Sequence, residues 1–478
     1  MSKETPLNIF GIPYDLIETF RWILKHIIYD LFYPLTLVIF ILFFFESVPS
    51  YFILLAICVS VISLCYFIFY WIQSIRSKEK NIGTYDENRR WRVEILNEID
   101  EKDVIYEIGF VGDIMKMRDY TIKFDKNIGN FFKGIDLIVG NLEGIINDNK
   151  TINILRQKHK SAILNDLTNI TEPPPKWLLC ISNNHSADYK EKWFHATQDA
   201  IDGRSNFSSF GEKTERQFYV PREGINIVTG TMWNNYKNEY SSNFREINLY
   251  HKPNSFNILY PHWHFENECY VRKEIVKRCK SLFIDGVYYA IRKFLPKRLR
   301  RPPIRTYEKK PIWDLIFGHH THVPQPIVVV PNSKNHKNYL LAYSGGNFTS
   351  SKWIAKHQHG LILRCQIAKT NKTDPYAIRS IEWSYTKCKR ERKEKIVHSN
   401  IDIEHNRKNT YDFRAIKVLK NLVIVTVCYL IFTPIISLLF SVSLLNLIVV
   451  FFRAIGVIGI QFFAVWVISR LLFKYKKS

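Results

Sequence analysis

Eight short apolar runs in the middle of the chain each stop at a polar or glycine-rich tip, and this recurring pattern constrains the fold more than any bulk property. The runs are Val104 to Val111, Leu137 to Val139, Trp177 to Ile181, Ile225 to Thr229, Phe256 to Tyr260, Leu315 to Phe317, Tyr339 to Tyr343 and Leu361 to Ile367. Several have the Val/Ile/Leu richness of strands covered on both faces. Helices are expected between some of them, at Lys190 to Ile201 and Val271 to Leu282. Strands alternating with helices predict an α/β layered domain over residues 81–400.

The tips carry the chemistry. Gly112-Asp113-Ile114-Met115 ends the first run, and Asn141-Leu142-Glu143-Gly144 follows the second. Asn183-Asn184-His185-Ser186-Ala187-Asp188 ends the third. Later tips are His262-Trp263-His264, Gly318-His319-His320-Thr321-His322 and Tyr343-Ser344-Gly345-Gly346-Asn347-Phe348. Ligands of open α/β sheets gather at the carboxyl ends of strands. Six of the 15 histidines fall in these tips. Carboxylate, amide oxygen and imidazole at successive tips suit a divalent transition metal, or a pair. Taken singly, each tip has a bland reading. A lone Asp after a strand is usually a helix cap, Asn-Asn-His is usually a turn, and His262 or His264 beside Trp263 can be a packed aromatic cluster. Three imidazoles within four positions rarely serve packing, and the ordered set points to one site.

That order resembles the CapA family. These are bacterial capsule (poly-γ-glutamate) synthesis proteins, a branch of the calcineurin-like metallophosphoesterases. The likeness runs from about Tyr106 to Thr349, roughly half the chain. It implies a four-layer α/β/β/α core and a metal-dependent phosphoric ester hydrolase. It assigns metal binding to Asp113, Glu143, Asn184, His262, His320 and His322. Glu143 stands where the superfamily has its bridging carboxylate, and Asn184 binds through its amide oxygen. His185 becomes the general acid for the leaving oxygen, tuned by Asp188. His319, His264 and Asn347 are additional candidates. The cofactor implied is one or two divalent ions of Mn, Fe or Zn, activating a water nucleophile and clamping phosphoryl oxygens. Two positions depart from the pattern. Met115 replaces the superfamily's usual histidine, as the CapA branch itself does, and His264 replaces a glycine.

The ends of the chain read differently. Segments at about 27–45 and 51–72 are apolar, and so are those at about 421–442 and 445–469. A membrane span needs roughly 20 such residues. The expectation is a transmembrane helical hairpin in residues 1–80 and another after a linker in 401–478. Lys and Arg flank one side of these runs, which predicts an integral membrane protein with a cytoplasmic central domain. A basic insertion at about 287–311, with Arg298, Arg300 and Arg301, suggests contact with anionic lipid or substrate. Lys389 to Lys395 reads as a solvated linker. Net charge is +23, but nucleic acid is not an expected partner. Expected partners are the membrane, an anionic phosphate-containing substrate and other polymer-synthesis membrane proteins. The apolar content of 46% excludes a disordered chain. Eight scattered cysteines exclude a disulfide scaffold. The alternative to an esterase is a non-catalytic accessory subunit of a polymer synthesis and export complex.

Overall fold

Backbone pairing gathers the apolar runs into two mixed sheets. The computed structural model describes residues 79–411, apart from 150–155, 237, 269–270, 284–312, 333–336, 352–354 and 371–373. The first strands are β1 (Thr84–Asp86), β2 (Trp91–Ile95), β3 (Val104–Ile114) and β4 (Thr121–Phe124). Helix α1 (Lys126–Phe132), β5 (Leu137–Leu142), β6 (Ile145–Ile146), β7 (Lys158–His159) and α2 (Ala162–Thr168) follow. Next come β8 (Trp177–Cys180), α3 (Glu191–Asp202), β9 (Phe207–Phe210), β10 (Phe218–Arg222), β11 (Ile225–Thr231) and β12 (Phe256–His262). The series continues with α4 (Lys273–Ser281), β13 (Leu315–Phe317), β14 (Ile327–Asn332), β15 (Lys337–Ala342) and β16 (Asn347–Thr349). It closes with β17 (His359–Lys369), β18 (Tyr376–Glu391), β19 (Ile396–Ile401) and α5 (Ile403–Lys408).

The larger sheet runs β1-β2-β18-β17-β3-β5-β8-β9, with β16 beside β3 and β19 joining β18 to β4. The smaller runs β10-β11-β12-β13-β15-β14. All eight apolar runs coincide with strands, with only Ile181 and Tyr343 one residue past the strand end. Strands β5, β11 and β12 are buried at every residue, as their unbroken apolar character requires.

The helices are short and one-sided. In α1 the Asp125 carboxylate accepts from the Asn127 N–H and caps the first turn, while Ile128, Phe131 and Phe132 form its buried face. In α3 the buried residues are Phe194, Thr197, Gln198 and Ile201, the spacing of one helical stripe. Each large apolar side chain buried this way contributes about 1.5–3 kcal/mol.

The two sheets meet through aromatic rings near their site ends. Phe110 of β3 stacks on Phe317 of β13 at 5.4 Å. Tyr260 of β12 donates its hydroxyl hydrogen to the Val111 carbonyl at 2.6 Å. Gly112 lets β16 approach β3: the Asp113 N–H donates to the Gly346 carbonyl at 2.7 Å. A Cβ on Gly112 would overlap that same oxygen.

Two expectations are corrected. The four-layer α/β/β/α domain between transmembrane hairpins gives way to a mostly stranded chain with mixed sheets and few helices. The two named helices are present as α3 and α4, but some other connections are not α-helical. The connection from β11 to β12 contains a 3-10 helix at Phe244–Tyr250, and the connection from β13 to the parallel β15 contains β14, which pairs on the far side of β15 as the edge strand. The stretch read as a linker, Lys389 to Lys395, is the end of β18 and its hairpin turn into β19. The described residues, through Tyr411, belong to one compact unit.

The integral membrane protein with a cytoplasmic domain is the second correction. Among the described residues no helix is long and apolar enough to cross a membrane. The longest of the described α-helices, α3, has 12 residues. The segments at 27–45, 51–72, 421–442 and 445–469 lie outside the described residues, as does the basic insertion with Arg298, Arg300 and Arg301.

Candidate metal centre

Strand register brings the tips together. Asp113 pairs with Asn141 across β3 and β5, and with Asn347 across β3 and β16. His262 bridges to His319 at the end of the smaller sheet. These pairings converge on the Asp113 carboxylate, which is fully buried.

Four donors surround that carboxylate. Oδ1 accepts from Asn141 Nδ2 at 2.8 Å and lies 3.2 Å from His319 Nδ1. Oδ2 accepts from the His320 backbone N–H at 3.1 Å and lies 3.2 Å from His322 Nδ1. Burial alone would raise the pKa of Asp113, but the His319 and His322 hydrogen bonds outweigh it and hold the carboxyl well below the usual range. Asp113 is therefore a buried anion, the state a metal ligand needs.

Two groups of donors share Asp113. One is Asp113, His262 and His319, and the other is Asp113, Glu143 and His322. Within each group the ligand atoms lie within 4.8 Å of one another. His322 Nε2 is 3.5 Å from Glu143 Oε1. These buried groups can hold a metal ion.

The details of the first group fit an ion better than a hydrogen-bonded cluster. His262 Nε2 lies 3.0 Å from Asn184 Oδ1, and its Nδ1 lies 2.9 Å from His319 Nδ1. An Nε2–H donated to the amide oxygen turns the lone pair of His262 Nδ1 toward His319 and Asp113. His319 Nε2 and His320 Nδ1 are buried with no hydrogen-bond partner. Burial, reinforced by neighbouring imidazoles, pushes His262 well below its ordinary pKa. Burial pushes His320 down to about 3. These rings stay neutral, as coordination requires. His320 and His322 hold positive φ values of 98° and 59°. Such backbone costs of order 1–3 kcal/mol per residue and clusters at functional sites.

A second feature stands beside the carboxylates. His185 Nδ1 lies 2.6 Å from Asp188 Oδ2 and its Nε2 lies 3.6 Å from Glu143 Oε1. Asp188 thus fixes the ring so that Nε2 faces the centre. Asn183 braces the same turn, its Oδ1 accepting the His185 N–H at 3.1 Å.

The chain matches no protein-family model, no curated protein and no solved structure. The site is therefore judged on its geometry.

That geometry redistributes the expected roles. Asp113, Glu143, His262, His319 and His322 come together as potential ligands. Asp113, not Glu143, is the carboxylate common to both groups. Asn184 contacts His262 and so orients a ligand. His320 reaches Asp113 through its backbone N–H, while its ring lies 4.3 Å from that of His262. Asn347 Oδ1 lies 3.1 Å from His322 Nδ1 and braces that ring. His264 does not join the Asp113 groups. Its ring stacks on Trp263 at 4.2 Å, and its Nε2 faces the Cys279 sulfur of α4. Burial keeps it neutral too.

Three contributors escaped the sequence. Asn141 sits inside a recognised tip and could have been found there. Asn235 donates toward Asp188 at 3.5 Å and lies 3.1 Å from His185 Nδ1. His159 Nε2 holds the Glu143 carbonyl at 2.9 Å. Neither Asn235 nor His159 belongs to a tip, and no local signal marks them.

Proposed function

We propose that the chain is a metal-dependent phosphoric ester hydrolase of the CapA-like, metallophosphoesterase kind, with two divalent ions sharing Asp113. The observation that carries this reading is the single buried carboxylate common to two donor groups, with a carboxylate-held imidazole facing the same centre. Asp113, His262 and His319 would hold one ion, and Asp113, Glu143 and His322 the other. Mixed oxygen and imidazole donors favour Mn, Fe or Zn over Mg or Ca. Bound there, such ions supply Lewis-acid polarisation of a phosphoryl oxygen and lower the pKa of water.

The chain's own residues do the rest. Asp188 accepts the Nδ1–H of His185 and leaves Nε2 as the proton-carrying atom on the substrate side. In its protonated form His185 donates from Nε2 to the departing alkoxide oxygen. Asn183 and Asn235 hold the His185–Asp188 pair in register. Asn184, Asn141 and Asn347 fix the ligands so that none must reorganise during the reaction. The substrate is a phosphate monoester or diester.

The test is hydrolysis of an aryl phosphodiester and an aryl phosphomonoester with added Mn²⁺, by wild type, His185→Ala and Asp113→Ala. The reading expects turnover by wild type, loss of turnover with metal retained in His185→Ala, and loss of turnover together with the ions held at Asp113 in Asp113→Ala. Metal-loaded wild type with no turnover above a metal-free control would overturn it.

A further inference from the structure

A second cluster of ligating side chains lies where β17, β19 and α5 meet, apart from the Asp113 groups. His359 is the first residue of β17, Asp402 follows β19, and His405 is in the first turn of α5. His359 Nε2 lies 3.1 Å from Asp402 Oδ2, and His405 Nδ1 lies 2.8 Å from the same oxygen. The Tyr411 hydroxyl lies 3.3 Å from His359 Nδ1. His359, Asp402 and Tyr411 are buried, and His405 is partly exposed.

We infer that His359, Asp402 and His405 form a second metal site, structural in role, for a borderline divalent ion of the Zn²⁺ or Co²⁺ class. Two imidazoles and one carboxylate are a frequent zinc donor set, and such ions take ligands at about 2.0–2.2 Å. A tetrahedral ion with those bonds sets its ligands about 3.3 Å apart. The observed 2.8 and 3.1 Å need to open by only a few tenths of an ångström. Asp402 and His405 are already preset, because Asp402 caps α5 by accepting the His405 N–H through its other oxygen at 3.3 Å.

The site also has a structural task. Helix α5 has six residues and one buried side chain, Asn406. A helix that short does not hold itself together. An ion bound to Asp402 and His405 on one side and His359 on the other would staple it to β17. Two residues before His359, the His357 carbonyl accepts from Asn347, which braces His322. The staple therefore supports the segment that abuts the main centre while adding no donor to it.

Co²⁺ titration of the full-length protein tests this, read by visible absorption and by metal content. In an Asp113→Asn background, one tightly bound Co²⁺ with tetrahedral-type bands is expected. Adding His405→Gln should weaken that binding by at least about 100-fold. In the wild-type background His405→Gln should lower metal content by one equivalent and leave esterase turnover in place. Unchanged Co²⁺ binding in His405→Gln would overturn the inference. Anomalous diffraction from Co²⁺-loaded wild type needs no variant: a peak between His359 and His405 supports the site, and its absence refutes it.

Discussion

Replacing Asp113 by Asn changes one atom of the carboxylate, and its consequences follow from four contacts. Each carboxylate oxygen receives two donors: Asn141 Nδ2 and His319 Nδ1 on one, the His320 N–H and His322 Nδ1 on the other. Whichever oxygen becomes the amide nitrogen, two donors then face a donor. An imidazole can change tautomer, but the His320 backbone N–H cannot. Asn141 could flip only by giving up the acceptor it offers to Asn183 at 3.2 Å. Each charge-assisted hydrogen bond contributes about 1.5–3 kcal/mol. Breaking one side of a buried ionic cluster typically costs about 3–5 kcal/mol, and we expect that loss in the metal-free protein. The metal response discriminates further. Ligand at 100 times its dissociation constant stabilises by about 2.7 kcal/mol per site. Urea unfolding with EDTA and with Mn²⁺ should show that gain for wild type and a clearly smaller one for Asp113→Asn, because both Asp113 groups lose their shared ligand while the His359–Asp402–His405 cluster is untouched. An equal metal-dependent gain in the variant would refute the assignment of Asp113 as the common carboxylate.

Other outcomes follow from the same geometry. Asp188→Asn should lower kcat by roughly 10–100-fold with metal content unchanged, and His185→Ala by about 10²–10⁴-fold, both read by turnover and metal analysis. In EDTA, stability should fall as pH drops from about 6.5 toward 3. Burial depresses His262, His264 and His320 in the fold, so over that range the unfolded chain takes up protons that the folded one refuses. The slope is at most about 1.4 kcal/mol per pH unit per histidine. Asp113 adds a loss only at lower pH, as it begins to protonate in the unfolded chain near 4. Gly112→Ala should destabilise by about 3 kcal/mol or more, since the methyl meets backbone atoms of Gly345 and Gly346 that cannot rotate away. Chemical denaturation measures this directly.

What was readable in the chain follows from how each element is buried. Strands such as β5 and β12 are covered on both faces, so their apolar runs are continuous and visible. Strands β18 and β19 form an antiparallel hairpin whose closing end is exposed and charged, so Lys389 to Lys395 looked like linker. Helix α3 declared itself through a single buried stripe. Membership of the site was legible because its residues sit at strand ends. The division of roles was not. His320 and His322 lie in left-handed backbone, which breaks the alternation that would tell which side each ring faces. That is why His319, adjacent to the expected ligands, contacts Asp113 by its ring while His320 does so by its backbone. The orientation of His264 toward α4 depends on Cys279, 15 residues away, which no local pattern reveals. The CapA likeness put Glu143 in the bridging place, whereas Asp113 is the carboxylate common to both candidate donor groups and lies beside both His319 and His322.

Electron paramagnetic resonance of Mn²⁺-loaded protein tests the shared carboxylate most directly. The proposed pair of ions held through Asp113 would be exchange-coupled, so wild type should give a coupled dimanganese spectrum that Asp113→Asn abolishes. Signals from isolated ions alone, at full metal loading of wild type, would contradict the account.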